Sequence, residues 1–309
     1  MRIAVFGSGG VGGYFGARLA AAGEDVTFIA RGAHLAAMRE HGLRIQSPLG
    51  NLDLPRVEAS DDPEAVGPVD LVFLTVKLYD NERAMQMLPP LLGASTLVVP
   101  FQNGVESIDM LGRVIDRRHV AGGTAYVAAV VAEPGVIRHT AMNNLRLGPT
   151  EPGQLPLLEQ LRDACQRAGI EPTLSTQIVV DIWAKFVRLS VFSGMTAITR
   201  CPVGTIMDDP DLLAMVLSAM RETMAVAHGK KIPLPAGLFG EVVGALRSVP
   251  PATRSSMLED LERGRRLELP WLSGAVVRIG QEVGVETPIH RFITTVLKPH
   301  VSGRAAAGL

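Results

Sequence analysis

Short apolar runs alternate with amphipathic segments through the first half of the chain, the pattern of a parallel sheet linked by crossover helices. The runs predict strands at Arg2–Phe6, Asp25–Ala30, Leu71–Thr75 and Thr96–Pro100. Between them the spacing predicts helices over Val11–Ala22, Ala33–His41 and Asn81–Leu88. From Thr124 to Gly148 the β-branched content rises (Val127, Val130, Val131, Val136, Ile137), which predicts strands that complete the sheet. Gly169 to Pro172 reads as a helix end and a turn, after which helical periodicity takes over. Thr176 is placed to cap a helix running through Trp183 and Lys185. Asp209-Pro210 supplies a cap and an N1 proline ahead of the stripe Leu212, Leu213, Val216, Leu217, Met220 and Met224, with Gly229 placed to stop it. Further helices are expected at Gly237–Leu246, Met257–Arg263, Leu272–Val283 and Ile289–Leu297, and a disordered tail at Ser302–Leu309. The pattern is that of an α/β chain: a parallel-sheet domain over residues 1–175, then an all-α domain over residues 176–309.

Composition narrows the function classes. At 309 residues and 47% hydrophobic, the chain can bury a large core, and its length suits two domains. Thirty basic against 31 acidic residues leave a net charge of −1, so neither a nucleic-acid nor a membrane partner is called for. Cys165 and Cys201 lie far apart and near no histidine pair, which argues against a disulfide framework and against a metal site. Reduced thiols and a cytoplasmic location are expected. The opening apolar run stops at Gly7 and Arg18 interrupts the next, so a signal peptide is not expected. No window reaches the ~18–20 apolar residues of a membrane helix. The exposed sides of the apolar-striped helices would suit a homodimer.

Candidate chemistry begins at Gly7-Ser8-Gly9-Gly10-Val11-Gly12, which matches the dinucleotide fingerprint and sits between a predicted strand and a predicted helix. The first glycine permits the turn, the second lets backbone approach a diphosphate, and the third allows close helix–strand packing. The helix N-terminus offers unpaired N–H groups to the phosphates. A Rossmann-like, cofactor-binding first domain follows. At the end of the second strand, where an acidic residue would accept from an NAD ribose, the chain has Ala30-Arg31-Gly32. Arg31 is suited to a 2′-phosphate, so NADP(H) is the expected cofactor.

Reducing a ketone with a nicotinamide also requires a proton donor for the nascent alkoxide, and a 2-oxoacid requires donors for its carboxylate. Lys185, in an otherwise largely apolar helical segment, is the leading proton donor, with Leu189 and Ser193 at four-residue steps after it. An i,i+4 surface pair with Asp181 is the alternative, and spacing does not decide between them. Glu268, flanked by Leu267 and Leu269, could hold hydroxyls or charge a lysine, or be an ordinary first-turn glutamate. Ser256 is a ligand candidate or a helix cap. Lys77 and Asn103 follow predicted strands, at the edge where open α/β sheets bind ligands.

In order, Gly7–Gly12, Thr75-Val76-Lys77, Gln102-Asn103-Gly104, Lys185 with Met195-Thr196-Ala197, and Ser256-Met257-Leu258-Glu259-Asp260 with Glu268 resemble ketopantoate reductases, over nearly the whole chain to about residue 290. The resemblance implies a Rossmann domain joined to a helical domain, an active site in the cleft between them, and NADPH-dependent reduction of 2-dehydropantoate to pantoate. It further implies that Lys185 is the general acid and that Asn103 holds substrate or cofactor. Glu268 would contact cofactor or substrate, Ser256 the substrate carboxylate, and Lys77 the cofactor or the carboxylate. The chain departs from the family pattern four and eight residues after the lysine, where the usual asparagines are Leu189 and Ser193, and in Thr253-Arg254-Ser255, where asparagine is favoured before the serine-methionine pair. Ser193 keeps a hydroxyl for substrate, whereas Leu189 replaces two donors and an acceptor by apolar surface. Reduction of a different 2-oxoacid, or a sensor that binds NADP without turnover, are the competing expectations.

Overall fold

Every residue of Ile3-Ala4-Val5-Phe6 is buried, as a strand covered on both faces requires. This strand, β1 (Arg2–Phe6), opens the computed structural model, which describes residues 1–304. In chain order the strands that follow are β2 (Asp25–Ile29), β3 (Leu43–Gln46), β4 (Leu52–Leu54), β5 (Glu58–Ser60), β6 (Val69–Leu74), β7 (Leu92–Pro100), β8 (Gly122–Glu133), β9 (Val136–Gly148) and β10 (Glu171–Leu174). The helices among them are α1 (Gly10–Ala21), α2 (Gly32–His41), α3 (Pro63–Val66), α4 (Asn81–Gln86), α5 (Ser107–Leu111) and α6 (Leu155–Arg167). One sheet runs β5-β2-β1-β6-β7 with every neighbour parallel. The chain leaves β1 toward β2 on one side and returns to β6 on the other, so the turn after β1 lies at the switch point where such sheets bind ligands.

The residues from Thr124 to Gly148 do not complete that sheet. They form the β8–β9 antiparallel hairpin of a second sheet, ordered β10-β9-β3-β4 with β8 paired to β9. β3 pairs with the start of β9 and β10 with its end, both in parallel. The segment Gly169–Pro172 is likewise more than a turn, since Glu171 already belongs to β10. The two sheets sandwich α1. A Cβ at Gly13 would stand 3.0 Å from Ile137 of β9, and one at Gly16 would stand 2.6 Å from the Phe28 ring of β2 and 2.9 Å from Val5 of β1. Small residues on both sides of α1 let the sheets approach, and most of the helix is buried in consequence.

Two compact units result: Met1–Gln102 with Glu106–Ile178, and Asn103–Val105 with Val179 onward. The second unit is helical, comprising α7 (Ile178–Thr199, all but its first residue), α8 (Val203–Asp208), α9 (Pro210–Gly229), α10 (Leu238–Ser248), α11 (Ser256–Glu262), α12 (Ser273–Val283) and α13 (Pro288–Leu297). As the sequence predicts, Asp209 caps α9, its Oδ1 accepting from the N–H groups of Asp211 at 3.0 Å and Leu212 at 2.8 Å. Gly229 serves a different purpose from the predicted stop: it is the last helical residue, and a Cβ there would lie 2.6 Å from Val283 of α12. The start of α13 is capped from outside, where Glu222 of α9 accepts from Ile289 N–H at 2.7 Å and His290 N–H at 3.0 Å. Burial pushes the Glu222 carboxyl upward, and these two bonds oppose the shift.

Ser255 caps α11. Its Oγ accepts from Leu258 N–H at 3.1 Å and from the Thr196 hydroxyl at 2.6 Å. The start of the tail expected to be disordered is tied down, since Arg304 N–H donates to Gly264 O at 2.9 Å; residues 305–309 lie outside the described residues. Among the described residues, no helix is long and apolar enough to cross a membrane.

Two substitutions test this packing by urea unfolding. Gly16→Val should destabilise the protein by about 1–3 kcal/mol, because neither the Phe28 ring nor Val5 has room to retreat. Ser255→Ala should cost about 1 kcal/mol or more through the lost cap, whereas Ser256→Ala, at an exposed hydroxyl one residue on, should stay within about 0.5 kcal/mol of the parent.

Candidate active site

The glycine turn is built by close approach on two sides and openness on the third. Gly7 has φ +104°, and a Cβ there would sit 2.6 Å from Val76 N, so only glycine fits. A Cβ at Gly12 would fall 2.4 Å from Gly7 O, and one at Gly10 would fall 2.1 Å from Ala129 O of β8. At Gly9 a Cβ would meet nothing within 4 Å. Gly9 is also the N-cap of α1 and provides no side-chain cap, which leaves the first-turn N–H groups facing that open space. An uncapped helix N-terminus beside an open glycine suits a dinucleotide diphosphate in both shape and partial charge. Val11 is partly buried and packs against the core. Ser8 turns inward, its Oγ donating to Ile29 O at 3.1 Å and Val5 O at 3.2 Å, so only its backbone faces a ligand.

A residue the motif does not include holds this turn. His34 of α2 accepts from Gly135 N–H through Nδ1 at 3.0 Å, which leaves Nε2–H to donate to Ser8 O at 2.9 Å. Burial lowers the His34 pKa, although the bond to Ser8 opposes it, and keeps the ring neutral in that tautomer. Thr75 Oγ1 adds a bond to Gly7 O at 2.8 Å.

The cations expected beside a cofactor lie beyond the carboxyl ends of β2 and β6, the two strands that flank β1. Arg31, exposed, is the N-cap of α2 directly after β2, and its Nη2 lies 2.5 Å from Asp80 Oδ2. Lys77 is partly buried two residues beyond Thr75 and begins the short 3-10 turn Leu78–Asp80.

In the second unit the structure brings together Lys185, Asn103 and Glu268. Lys185 Nζ donates to Asn103 Oδ1 at 3.3 Å, and Asn103 Nδ2 donates to Glu268 Oε2 at 3.5 Å, the outer limit of such a bond. Asn103 arrives on a three-residue excursion, Asn103–Val105, out of the sheet unit. Buried Gln102 fixes its point of departure: Nε2 donates to Val76 O at 2.7 Å and to Asn81 Oδ1 at 2.5 Å, and Oε1 accepts from Ser107 at 3.0 Å. Gly104, at φ +82°, makes the turn, and Val105 packs on the helical core. Asn103-Gly104 is therefore both a turn and a side-chain contact.

Glu268 is buried, at 6% exposure, and Lys185 is partly buried on α7. Loss of water drives the Lys185 ammonium down to about 7; the Arg188 guanidinium pushes the same way, and the Glu268 carboxylate opposes both. That withdrawal from solvent sets Lys185 apart from a freely solvated surface lysine. Arg188, three residues on along the helix, is the partner that pattern reading missed; its i,i+3 spacing was the available signal.

Two other candidates stand outside this hydrogen-bonded trio. Ser256 is exposed at the first position of α11, and the capping role falls to Ser255 instead. Ser193 is enclosed, at 1% exposure, and its Oγ has no hydrogen-bond partner among the described residues. Leu189 is half-buried against the helical core. Both cysteines are free, and burial raises the Cys165 thiol to about 12, which makes it inert. Among the described residues, no group of three or more His, Cys, Asp or Glu side chains is arranged to hold a metal.

Comparison with known proteins identifies the family of the chain. The family model for ketopantoate reductase PanE/ApbA matches residues 3–152, and the model for its C-terminal region matches residues 177–301. A 2-dehydropantoate 2-reductase from Mesorhizobium japonicum is 31% identical over 309 residues, covering 93% of this chain and 94% of that one. The crystal structure of a PanE/ApbA family ketopantoate reductase from Ralstonia eutropha JMP134 superposes with a TM-score of 0.89 at 33% identity, over 97% of this chain and 98% of that one. A D-mandelate dehydrogenase solved with NADH and anilino(oxo)acetate shares the fold, with a TM-score of 0.89 at 23% identity over 97% of this chain and 98% of that one. The chain belongs to the ketopantoate reductase family.

Proposed function

We propose that the protein is a cytoplasmic, NADPH-dependent reductase that converts 2-dehydropantoate to pantoate, with residues 1–175 binding the cofactor and residues 176–309 carrying the proton-transfer chemistry. The observation that carries this reading is the desolvated Lys185 ammonium, hydrogen-bonded to Asn103 and poised near neutrality. The backbone N–H groups of Gly7–Gly12 would hold the diphosphate, Arg31 the 2′-phosphate, and Lys77 the adjoining phosphate or ribose. NADPH, when bound, supplies the hydride received at C2 of the oxoacid.

The remaining chemistry falls to the chain's own side chains. Lys185 holds a proton at Nζ and delivers it to the C2 oxygen as negative charge develops there. A lysine near its ordinary pKa of about 10.4 would surrender that proton poorly, whereas one near 7 both gives and regains it at neutral pH. Asn103 fixes the ammonium through Oδ1, and Glu268 in turn holds the amide, so that the carboxamide keeps its acceptor toward Lys185. Glu268 also keeps the ammonium from being discharged altogether, because its carboxylate raises the lysine's proton affinity. The exposed Ser256 hydroxyl would donate to the substrate carboxylate. Ser193, being enclosed, would act through the packing of α7 instead.

Support for the remaining parts is structural. Free thiols suit the cytoplasm. A homodimer is supported by Phe292 and Val296, 52% and 44% exposed and four residues apart on α13. Leu189 favours one second reading, in which the same machinery reduces a 2-oxoacid that is less polar beyond its carbonyl. A panel of 2-oxoacids followed by NADPH absorbance separates the two by their kcat/KM ranking.

Lys185→Ala should lower kcat by about 10²–10⁴-fold while leaving the Kd for NADPH unchanged; a near-parental rate would remove Lys185 from the mechanism. The acid must be protonated for reduction, so kcat/KM for the oxoacid should fall about tenfold per pH unit above about 7. In Glu268→Gln the raising influence is gone and the fall should begin at lower pH. Hydroxyacid oxidation, which needs the neutral amine, should show the opposite slope.

A further inference from the structure

The end of β2 lacks a carboxylate in sequence, yet the structure brings one there from the neighbouring segment after β6. Asp80 Oδ2 lies 2.5 Å from Nη2 of Arg31. Asp80 occupies the N-cap position of α4, where an aspartate ordinarily accepts from its own helix, but its side chain makes no capping bond. The carboxylate turns instead onto the guanidinium. Asp80 is the better anchored partner, its side chain 24% exposed against 65% for Arg31, and its backbone N–H donates to Lys77 O at 2.8 Å.

In a dinucleotide domain the group at this strand end reads the adenosine ribose: a carboxylate accepts from a 2′-hydroxyl, and an arginine pairs with a 2′-phosphate. Here the two readers form one ion pair. We infer that Asp80 is a specificity-determining residue that weakens the preference for NADP over NAD, an inference that rests on the dinucleotide reading of the glycine turn. A 2′-phosphate must share Arg31 with Asp80 and sits beside a like charge, which raises its Kd. A 2′-hydroxyl finds in Asp80 the acceptor that β2 does not provide. The ion pair is exposed enough to open readily, so the phosphate still binds and both dinucleotides are used.

The test is the dissociation constant of NADPH and of NADH, measured by calorimetry on the full chain and on two surface variants whose folding is checked by thermal melting. Asp80→Asn keeps the shape and removes the charge. It should tighten NADPH relative to NADH by about tenfold, the factor that about 1.4 kcal/mol represents, and should lower the NADH share of turnover in parallel. Arg31→Ala should abolish the NADPH preference and leave NADH affinity within about twofold, as expected for loss of an exposed cation that NADH does not need. An unchanged NADPH-to-NADH ratio in Asp80→Asn, with both dinucleotides still binding, overturns the role of Asp80 and leaves the cofactor site intact. Failure of the parent protein to bind either dinucleotide overturns the cofactor site and this inference with it.

Discussion

An ammonium group stripped of water is costly unless its proton leaves or its surroundings supply compensation. Lys185 is held at that balance: desolvation and Arg188 pull its pKa down to about 7, and Glu268 pulls it back. Asn103 joins the lysine to the carboxylate through its amide. Asn103 depends in turn on buried Gln102, whose bonds to Val76, Asn81 and Ser107 fix where the chain departs from β7. The hydrogen-bond partner of Lys185 is thus placed by a strand end several elements away in sequence.

The sheet unit shows the same dependence on close approach. α1 serves two sheets at once, and its glycines satisfy different neighbours: Gly12 the turn itself, Gly13 the hairpin, Gly16 the parallel sheet. The fingerprint glycines therefore explain only part of the glycine content of Gly7–Gly16. His34 adds a neutral bracket between Ser8 and Gly135, tying the turn to the tip of the hairpin.

Much of this was legible in the pattern of residues. Strands β1, β2, β6 and β7 and helices α1, α2, α7, α9, α12 and α13 follow from apolar periodicity and caps, because each buries a face that its sequence marks. The second sheet was not read, although Pro134-Gly135 between two β-rich runs is a hairpin signal. Periodicity says that β8 and β9 are strands but not which partners they choose. Gly229 matched a stop signal for the wrong reason, since packing against Val283 fixes that glycine and its backbone conformation does not. In the site, Lys185, Asn103 and Glu268 were legible as residue types at suggestive places. Their union was not, since 82 residues separate Asn103 from Lys185 and 165 separate it from Glu268. Arg31 stands just beyond the end of β2, where its place in the sequence puts it. Its partner Asp80 escaped notice because a carboxylate 49 positions away leaves no local trace.

The most direct test of the account is the titration of Lys185 itself. The chain has only five lysines, Lys77, Lys185, Lys230, Lys231 and Lys298, so NMR of lysine labelled at the carbon next to Nζ can resolve each one, with Lys185→Arg assigning the resonance. One lysine should show a midpoint near 7, moving lower in Glu268→Gln. A Lys185 midpoint at the ordinary value of about 10.4 would contradict it.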